Sequence, residues 1–449
     1  MSDLLTLGLS GVTAYRNALA AVGDNVANAE TPGYARREVK LREGVNSGSS
    51  SPIYRESMTF GGVEAASVSR AWDAYRAADS RYAASAAGRA DVRQQWLSSV
   101  ETTLDDGDSG VGALLGGFFN SAESLSATPS DRLGRSAMLM ALDGATSAIR
   151  NTADGLARVS DGISKATQLD VDGLNSDLAA LVDVNRSLKQ VAPGLTSRAS
   201  MEDERDRLLD SIANRIDVNA SVGADGVATL TLGGASSVTL LDNATRATVT
   251  MATAADGRIQ LRMFANGTTT PLPATGGRLA GLVDVAASTA DKRTSFEAMA
   301  QKLVSDVNTW SSKGIDANGN PGGPLLAMTA GAISLAVVTT DPNAIAAASV
   351  SGVENGNLQQ LPALRNTNGA ESGWAALVAA NAQSLSSAKS EAAATATRRD
   401  GSFAARDEVS GIDLDKEAAE LLRYQRAYDG SAKIIQVARD TVQAILDLF

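Results

Sequence analysis

Neither cysteine nor histidine occurs anywhere in the 449 residues. The first absence excludes disulfides, thiol nucleophiles and thiolate metal sites. The second removes the commonest general base and the commonest imidazole ligand. Aromatic residues are scarce, at 4% of the chain. Cationic charge is outweighed: 40 Lys and Arg stand against 51 Asp and Glu, a net charge of −11. Nucleic-acid binding needs clustered cations on phosphates, so no nucleic-acid partner is expected. No segment offers about 18 consecutive apolar residues, so no membrane span is expected. The opening MSDLLTLGLSG lacks the basic and long apolar regions of a cleaved signal peptide. Composition alone therefore points to the cytoplasm. The other reading is export by a route that leaves the N-terminus intact.

What is present is helical periodicity at both ends. Leu5, Val12, Leu19 and Val26 recur every seven residues, and Tyr15 and Val22 follow Val12 and Leu19 by three. That spacing predicts an amphipathic helix with a narrow apolar seam. It is expected to end near Asn28, where NVANAETPGY turns the chain through Thr-Pro-Gly. At the other end Leu414, Leu421, Tyr428, Ile435, Val442 and Phe449 also recur every seven residues, with Ala418, Ala432 and Leu446 on the same side. Asp413 is the predicted N-cap of that helix. Its roughly 36 residues would run about 54 Å. Two matching seams at the ends of one chain predict that the terminal helices pack on each other, with their outer faces left for other subunits.

Between them the pattern changes several times. Residues 31–62 read as extended and turn-rich, and a helix is predicted from about Val68 toward Leu104. Another follows the Gly-rich DDGDSGVGALLGG, and Asp131 to Leu188 is helical, with Leu174, Leu181 and Leu188 seven apart. MEDERDRLLDSIANRI is a further helix. From Asp217 the sequence alternates, rich in Val and Thr and cut by Asp-Gly and Gly-Gly pairs, which are strand and hairpin signals. Helix returns from Arg278 to Trp310. The stretch 314–370 is irregular, and a last helical run begins near Trp374 with a break at Asp400-Gly401. The organisation predicted is 1–62 as the N-terminal part of an inner coiled-coil domain with its connecting segment. Residues 63–215 form the first part of a helical domain and 216–277 a small β-rich outer domain. Residues 278–404 complete the helical domain, and 405–449 form the C-terminal helix of the inner domain.

Candidate chemistry is thin. GVGALLGG has Leu115 where a GxGxxG phosphate loop needs glycine. DANGNPGG spaces Asp316, Asn318 and Asn320 like the start of a calcium loop, but Pro321 and Ala327 occupy the positions that need Gly and Glu. The acid pairs Glu202/Asp203 and Asp105/Asp106 read as surface charge; a glycosidase needs two acids facing across a cleft. Arg36, Arg37, Lys40 and Arg42 alternate with Glu38 and Glu43 and read as a solvated or subunit-contacting face. No catalytic residue, cofactor or metal is called for.

LSGVTAYRNALAAVGDNVANAETPGYARREV resembles the N-terminal segment shared by bacterial flagellar rod, hook and hook-associated proteins, and SGIDLDKEAAELLRYQRAYDGSAKIIQVARDTVQAIL resembles their C-terminal segment. The interior segments SATPSDRLGRSAMLMALDGATSAI and MEDERDRLLDSIANRIDVNASVGADGVATLTLGG are similar to the hook-associated branch of this axial family. One departure is Ala35 after Tyr34, where many relatives carry serine. The resemblance implies a mainly α, elongated, multidomain axial protein: paired terminal coiled-coil helices, a helical bundle and a small β-rich outer domain. It implies a structural junction role without catalysis, secretion through the flagellar type III system, and an extracellular place on the flagellum. The implied partners are the hook protein, a second junction protein, other copies of the chain in a ring, and a cytoplasmic export chaperone on the C-terminal segment. The implied assembly surface is Leu5, Val12, Leu19, Val26, Leu414, Leu421, Tyr428, Ile435, Val442 and Phe449. Two other readings stay open: another axial protein (hook or rod), which a largely β interior would favour, and a secreted wall-cutting enzyme.

Overall fold

Eight long helices account for most of the computed structural model, which describes residues 2–44, 61–234, 238–243 and 246–447. The chain opens with α1 (Ser2–Ala27), then an antiparallel pair, β1 (Arg37–Glu43) and β2 (Val63–Arg70). The helical body follows: α2 (Ala74–Thr103), α3 (Val111–Ala127), α4 (Arg132–Leu188) and α5 (Thr196–Arg215). Two three-stranded antiparallel sheets come next, β3 (Val218–Val222), β4 (Ala228–Leu232) and β5 (Thr239–Leu241), then β6 (Thr248–Thr253), β7 (Ile259–Ala265) and β8 (Thr268–Pro271). The chain returns through α6 (Gly277–Ser312), short paired segments and 3-10 turns, α7 (Ala370–Ser410) and α8 (Leu414–Leu446). At 57 residues α4 runs about 85 Å, which makes the molecule elongated.

Several boundaries follow from local chemistry. Asp131 starts α4 by accepting from the N–H groups of Leu133 and Gly134, and Asp413 starts α8 by accepting from those of Asp415 and Lys416. The helix predicted from Val68 begins later. Val68 to Arg70 belong to β2, and Asp73 caps α2 through the N–H groups of Tyr75 and Arg76. The break predicted at Asp400-Gly401 is absent. Gly401 lies in open space on α7, where a single exposed glycine costs only about 1 kcal/mol. The chain breaks instead at Gly411–Asp413, so residue 405 lies inside α7.

Among the described residues the sheets have no core of their own. Leu230, Leu232, Leu241, Val249 and Leu261 share one apolar cluster with Leu174, Leu178 and Leu181 of α4, Leu209 and Ile212 of α5, and Leu279 and Leu282 of α6. Two asparagines of α4 fix the sheets by reciprocal bonds. Asn185 donates to Ala228 O and accepts from Ala228 N, and Asn175 does the same with Val249. A second cluster fills the other end of the body, around Phe118, Leu142, Ile149, Phe296, Trp310 and Trp374.

Candidate assembly interface

α1 lies against α8, so the two ends of the chain form one helix pair. The side chains buried in α8 are Glu417, Tyr424, Ser431 and Ala438, seven apart. On α1 the buried positions are Gly8, Gly11, Ala14, Ala18, Ala21, Val22 and Asn25. The close approach depends on these small residues. A Cβ at Gly11 would sit 2.3 Å from Ser431 Oγ. Tyr15 and Tyr424 meet with ring centroids 6.4 Å apart. An adjoining face of α1 packs on the β1–β2 ribbon, where Val39 joins Ala18, Ala21, Val22 and Tyr424 in one cluster.

The predicted seam residues flank this stripe. Leu5, Val12 and Leu19 are partly buried on α1, as are Leu421, Tyr428, Ile435 and Val442 on α8. Val26 is 44% exposed and Leu414 55%. Phe449 lies outside the described residues. Leu4, Leu9, Leu422, Ile434, Val437 and Leu446 are further exposed apolar side chains on the pair.

Asn25, fully buried, ties the pair to the next segment with every polar atom of its amide. Nδ2 donates to Arg37 O and to Glu417 Oε2, both at 2.9 Å. Oδ1 accepts from Arg37 N at 2.9 Å and from the Tyr34 hydroxyl at 3.0 Å. Glu417, also fully buried, accepts from Arg36 Nε at 2.6 Å through its other oxygen. The Thr-Pro-Gly turn delivers these groups, with Gly33 at φ +80°, a conformation that favours glycine. Burial pushes the Tyr34 hydroxyl up to about 12, against the pull of Arg37, whose guanidinium lies 4.7 Å from the ring centroid.

The network continues into the body. Arg37 donates to Ser200 Oγ at 2.9 Å and Asp203 Oδ2 at 3.2 Å. Arg70 Nε lies 2.8 Å from Asp203 Oδ1, out of line for a hydrogen bond, while its Nη2 donates to Asp206 at 2.9 Å. Arg81 bridges Asp206 and Asp210, and Arg406 of α7 reaches Asp210 at 2.9 Å. Burial raises the Asp203 carboxyl above its ordinary value, while Arg70 and Arg37 pull it down. Buried ion pairs add little net stability when intact, but breaking one leaves an uncompensated charge. Their geometry here fixes how the terminal pair sits on the body.

These residues were not legible as a site. Arg36 and Arg37, read as part of a solvated or subunit-contacting face, turn inward because Glu417 and Asp203 wait there; Lys40 and Arg42 are exposed. Asp203, read as surface charge, is buried between two arginines. The remaining candidates are local structure. Asp316 Oδ1 accepts from the N–H groups of Asn318 and Asn320 at 2.8 Å, closing its own turn. Asp106 accepts from Trp374 Nε1 at 3.0 Å, and Leu115 is wholly buried in the core.

Comparison with known proteins agrees with this architecture. The model for the flagellar basal body rod protein matches residues 5–34, which include most of α1. That for the C-terminal segment of the flagellar basal body rod FlgEFG proteins matches 405–448, which include α8. The chain is 23% identical over 486 aligned residues to flagellar hook-associated protein 1 of Bacillus subtilis, covering 97% of this chain and 96% of that one. It is 24% identical to the protein of the same name from Salmonella typhimurium, over 72% of this chain and 59% of that one. The solved structure of the flagellar hook junction protein FlgK from Burkholderia pseudomallei superposes with a TM-score of 0.66 at 12% identity, covering 74% of this chain and all of that one, and so shares the fold. The model for the helical domain of flagellar hook-associated protein FlgK matches residues 97–326, more than half the chain, and the protein belongs to that family.

Proposed function

We propose that the protein is a structural adaptor of the bacterial flagellum that joins hook to filament. The observation that carries this reading is the terminal pair: α1 and α8 meet mainly through small and polar residues around the Tyr15–Tyr424 contact, and Leu4, Leu9, Leu422, Ile434, Val437 and Leu446 remain exposed on the two helices. Such a pair is built to be covered by further subunits. Assembly runs through Leu5, Val12, Leu19, Val26, Leu414, Leu421, Tyr428, Ile435, Val442 and Phe449. The neighbours are the hook protein, a second junction protein and other copies of this chain in a ring. Before assembly the chain leaves the cell through the flagellar type III system, its C-terminal segment held by a cytoplasmic chaperone. Catalysis has no part in this role.

The test is a clean deletion strain viewed by electron microscopy. Complete hooks without filaments, and filament subunits shed into the medium, are expected. Firm filaments of normal length overturn the junction reading. Loss of the hook itself would point to a rod or hook subunit instead.

A further inference from the structure

The helical body holds two apolar cores, and of the four helices that run through both, α4, α6 and α7 carry buried polar residues between them. On α2 the cores adjoin: Leu97 of the sheet-bearing core and Val100 of the other lie one turn apart on one face. In α4, Ser160 lies between Leu156 and Ile163; in α6, Thr289 and Lys292 lie between Ala286 and Phe296; in α7, Asn381 lies between Leu377 and Leu385. Two contacts put these intervals at one level. Asn381 Nδ2 reaches Leu97 O at 3.5 Å, and Arg293, next to Lys292, reaches Ser160 Oγ at 3.4 Å.

The layer is buried and poorly satisfied. Ser160, Thr289, Lys292 and Asn381 are all less than a tenth exposed. Thr289 Oγ1 and Asn381 Oδ1 have no hydrogen-bond partner among the described residues. Lys292 donates to Ser288 Oγ at 2.5 Å, while its neighbour Asp291 is engaged by Arg258. Burial pulls the Lys292 ammonium below its usual value, against Asp291. Buried polar groups without partners cost stability that a leucine in the same place would not. Val159, partly buried, touches both cores, so the two halves remain joined when folded.

We infer that this layer is a yield seam, and that the body consists of two cooperative units which open independently of each other. The distal unit holds Leu115, Leu142, Ile149 and Phe296; the proximal unit holds Leu178, Leu209, Leu230 and Leu282. If the export proposed above requires the chain to unfold, the seam divides the work of unfolding into two smaller steps. The inference itself stands on the cores alone.

Hydrogen exchange by mass spectrometry on the full chain tests it under native conditions. Leu142→Ala should speed exchange in α3 and the distal part of α6 by roughly a hundredfold and leave the β4 and β7 amides within about twofold of wild type. Leu178→Ala should do the reverse. The double substitution Lys292→Met with Asn381→Leu should couple the halves, so that Leu142→Ala in that background speeds exchange in both. If either single leucine variant accelerates both halves alike in the otherwise natural chain, the seam is refuted. Those two variants decide the matter even where the double substitution does not fold.

Discussion

In the body, α4 buries Leu174, Leu178 and Leu181 against α5, α6 and two sheets; in the terminal pair, α8 buries Glu417, Tyr424, Ser431 and Ala438 against a stripe of glycine and alanine. Fully burying a leucine contributes about 1.5–3 kcal/mol, and burying serine or alanine far less. The body therefore carries its stability internally. The pair spends its inner face on close approach and registry, and keeps its leucines, isoleucines and valines at the margins and outside. One helix pair is complete as a monomer, and the other is left half covered. That difference separates a scaffold from an assembly surface, and each expectation below probes one side of it.

The largest effect is on ordering. Ordering a helix of this length costs backbone entropy that the small-residue seam alone does not offset, so both termini should become fully ordered only in the assembly. Limited proteolysis of a chain shown to be monomeric by sedimentation should trim roughly the first 20 and last 25 residues, and leave the body with the joint at Asn25, Tyr34 and Glu417. Ile435→Asp should leave the body's unfolding transition unchanged and abolish incorporation at the hook tip. A monomer in which Leu421 to Ile445 resists the protease contradicts the comparison.

Next is the body core. Leu181, wholly buried between α4 and the sheets, should lose about 2–5 kcal/mol on truncation to alanine, read as a lower urea midpoint by circular dichroism. A loss below about 1 kcal/mol would mean that the packing around β3–β8 is loose.

The joint between the regions comes third. Glu417→Ala removes the acceptor for both Asn25 and Arg36 and strands them. About 3 kcal/mol of local stability should go, seen as faster amide exchange in α1 and α8 with the body unaffected. Glu417→Gln, which keeps an acceptor for Asn25, should lose less. Equal losses for both variants would show that charge alone holds the joint.

The long helices were legible because a helical apolar period persists over many turns, as at Leu174, Leu181 and Leu188, seven residues apart. The alternation of Val and Thr after Asp217 marked the strands for the same reason. Domain independence was not legible. Periodicity shows which face is apolar but not what it faces, and the faces of β4 and β7 meet α4 and α6 in a shared core. The seam was half visible. Leu421, Tyr428 and Ile435 mark one row, but its deeper partner row is Glu417, Tyr424, Ser431 and Ala438, whose mixed chemistry carries no hydropathy signal. The joint was invisible for a related reason. Arg36 and Arg37 sit among glutamates in sequence, while their partners lie 381 and 166 residues away.

The smallest effect sharpens the joint further. Tyr34 donates to Asn25 Oδ1 at 3.0 Å, so Tyr34→Phe should cost about 1 kcal/mol, read again as exchange in α1. Its pH dependence has a definite sign. The fold raises this hydroxyl from 10.0 to about 12, so the neutral form is the one the fold favours. The contribution is whole below about pH 10 and is lost as pH rises through about 12. Wild type and Tyr34→Phe should therefore differ at pH 8 and converge as pH approaches 12, with the tyrosinate absorbance of wild type showing one late-titrating group that the variant lacks. Tyr424, also raised by burial, stays late in both; if the variant shows as many late groups as wild type, the hydroxyl titrating near 12 is not Tyr34, and its bond to Asn25 is not what holds the turn against α1.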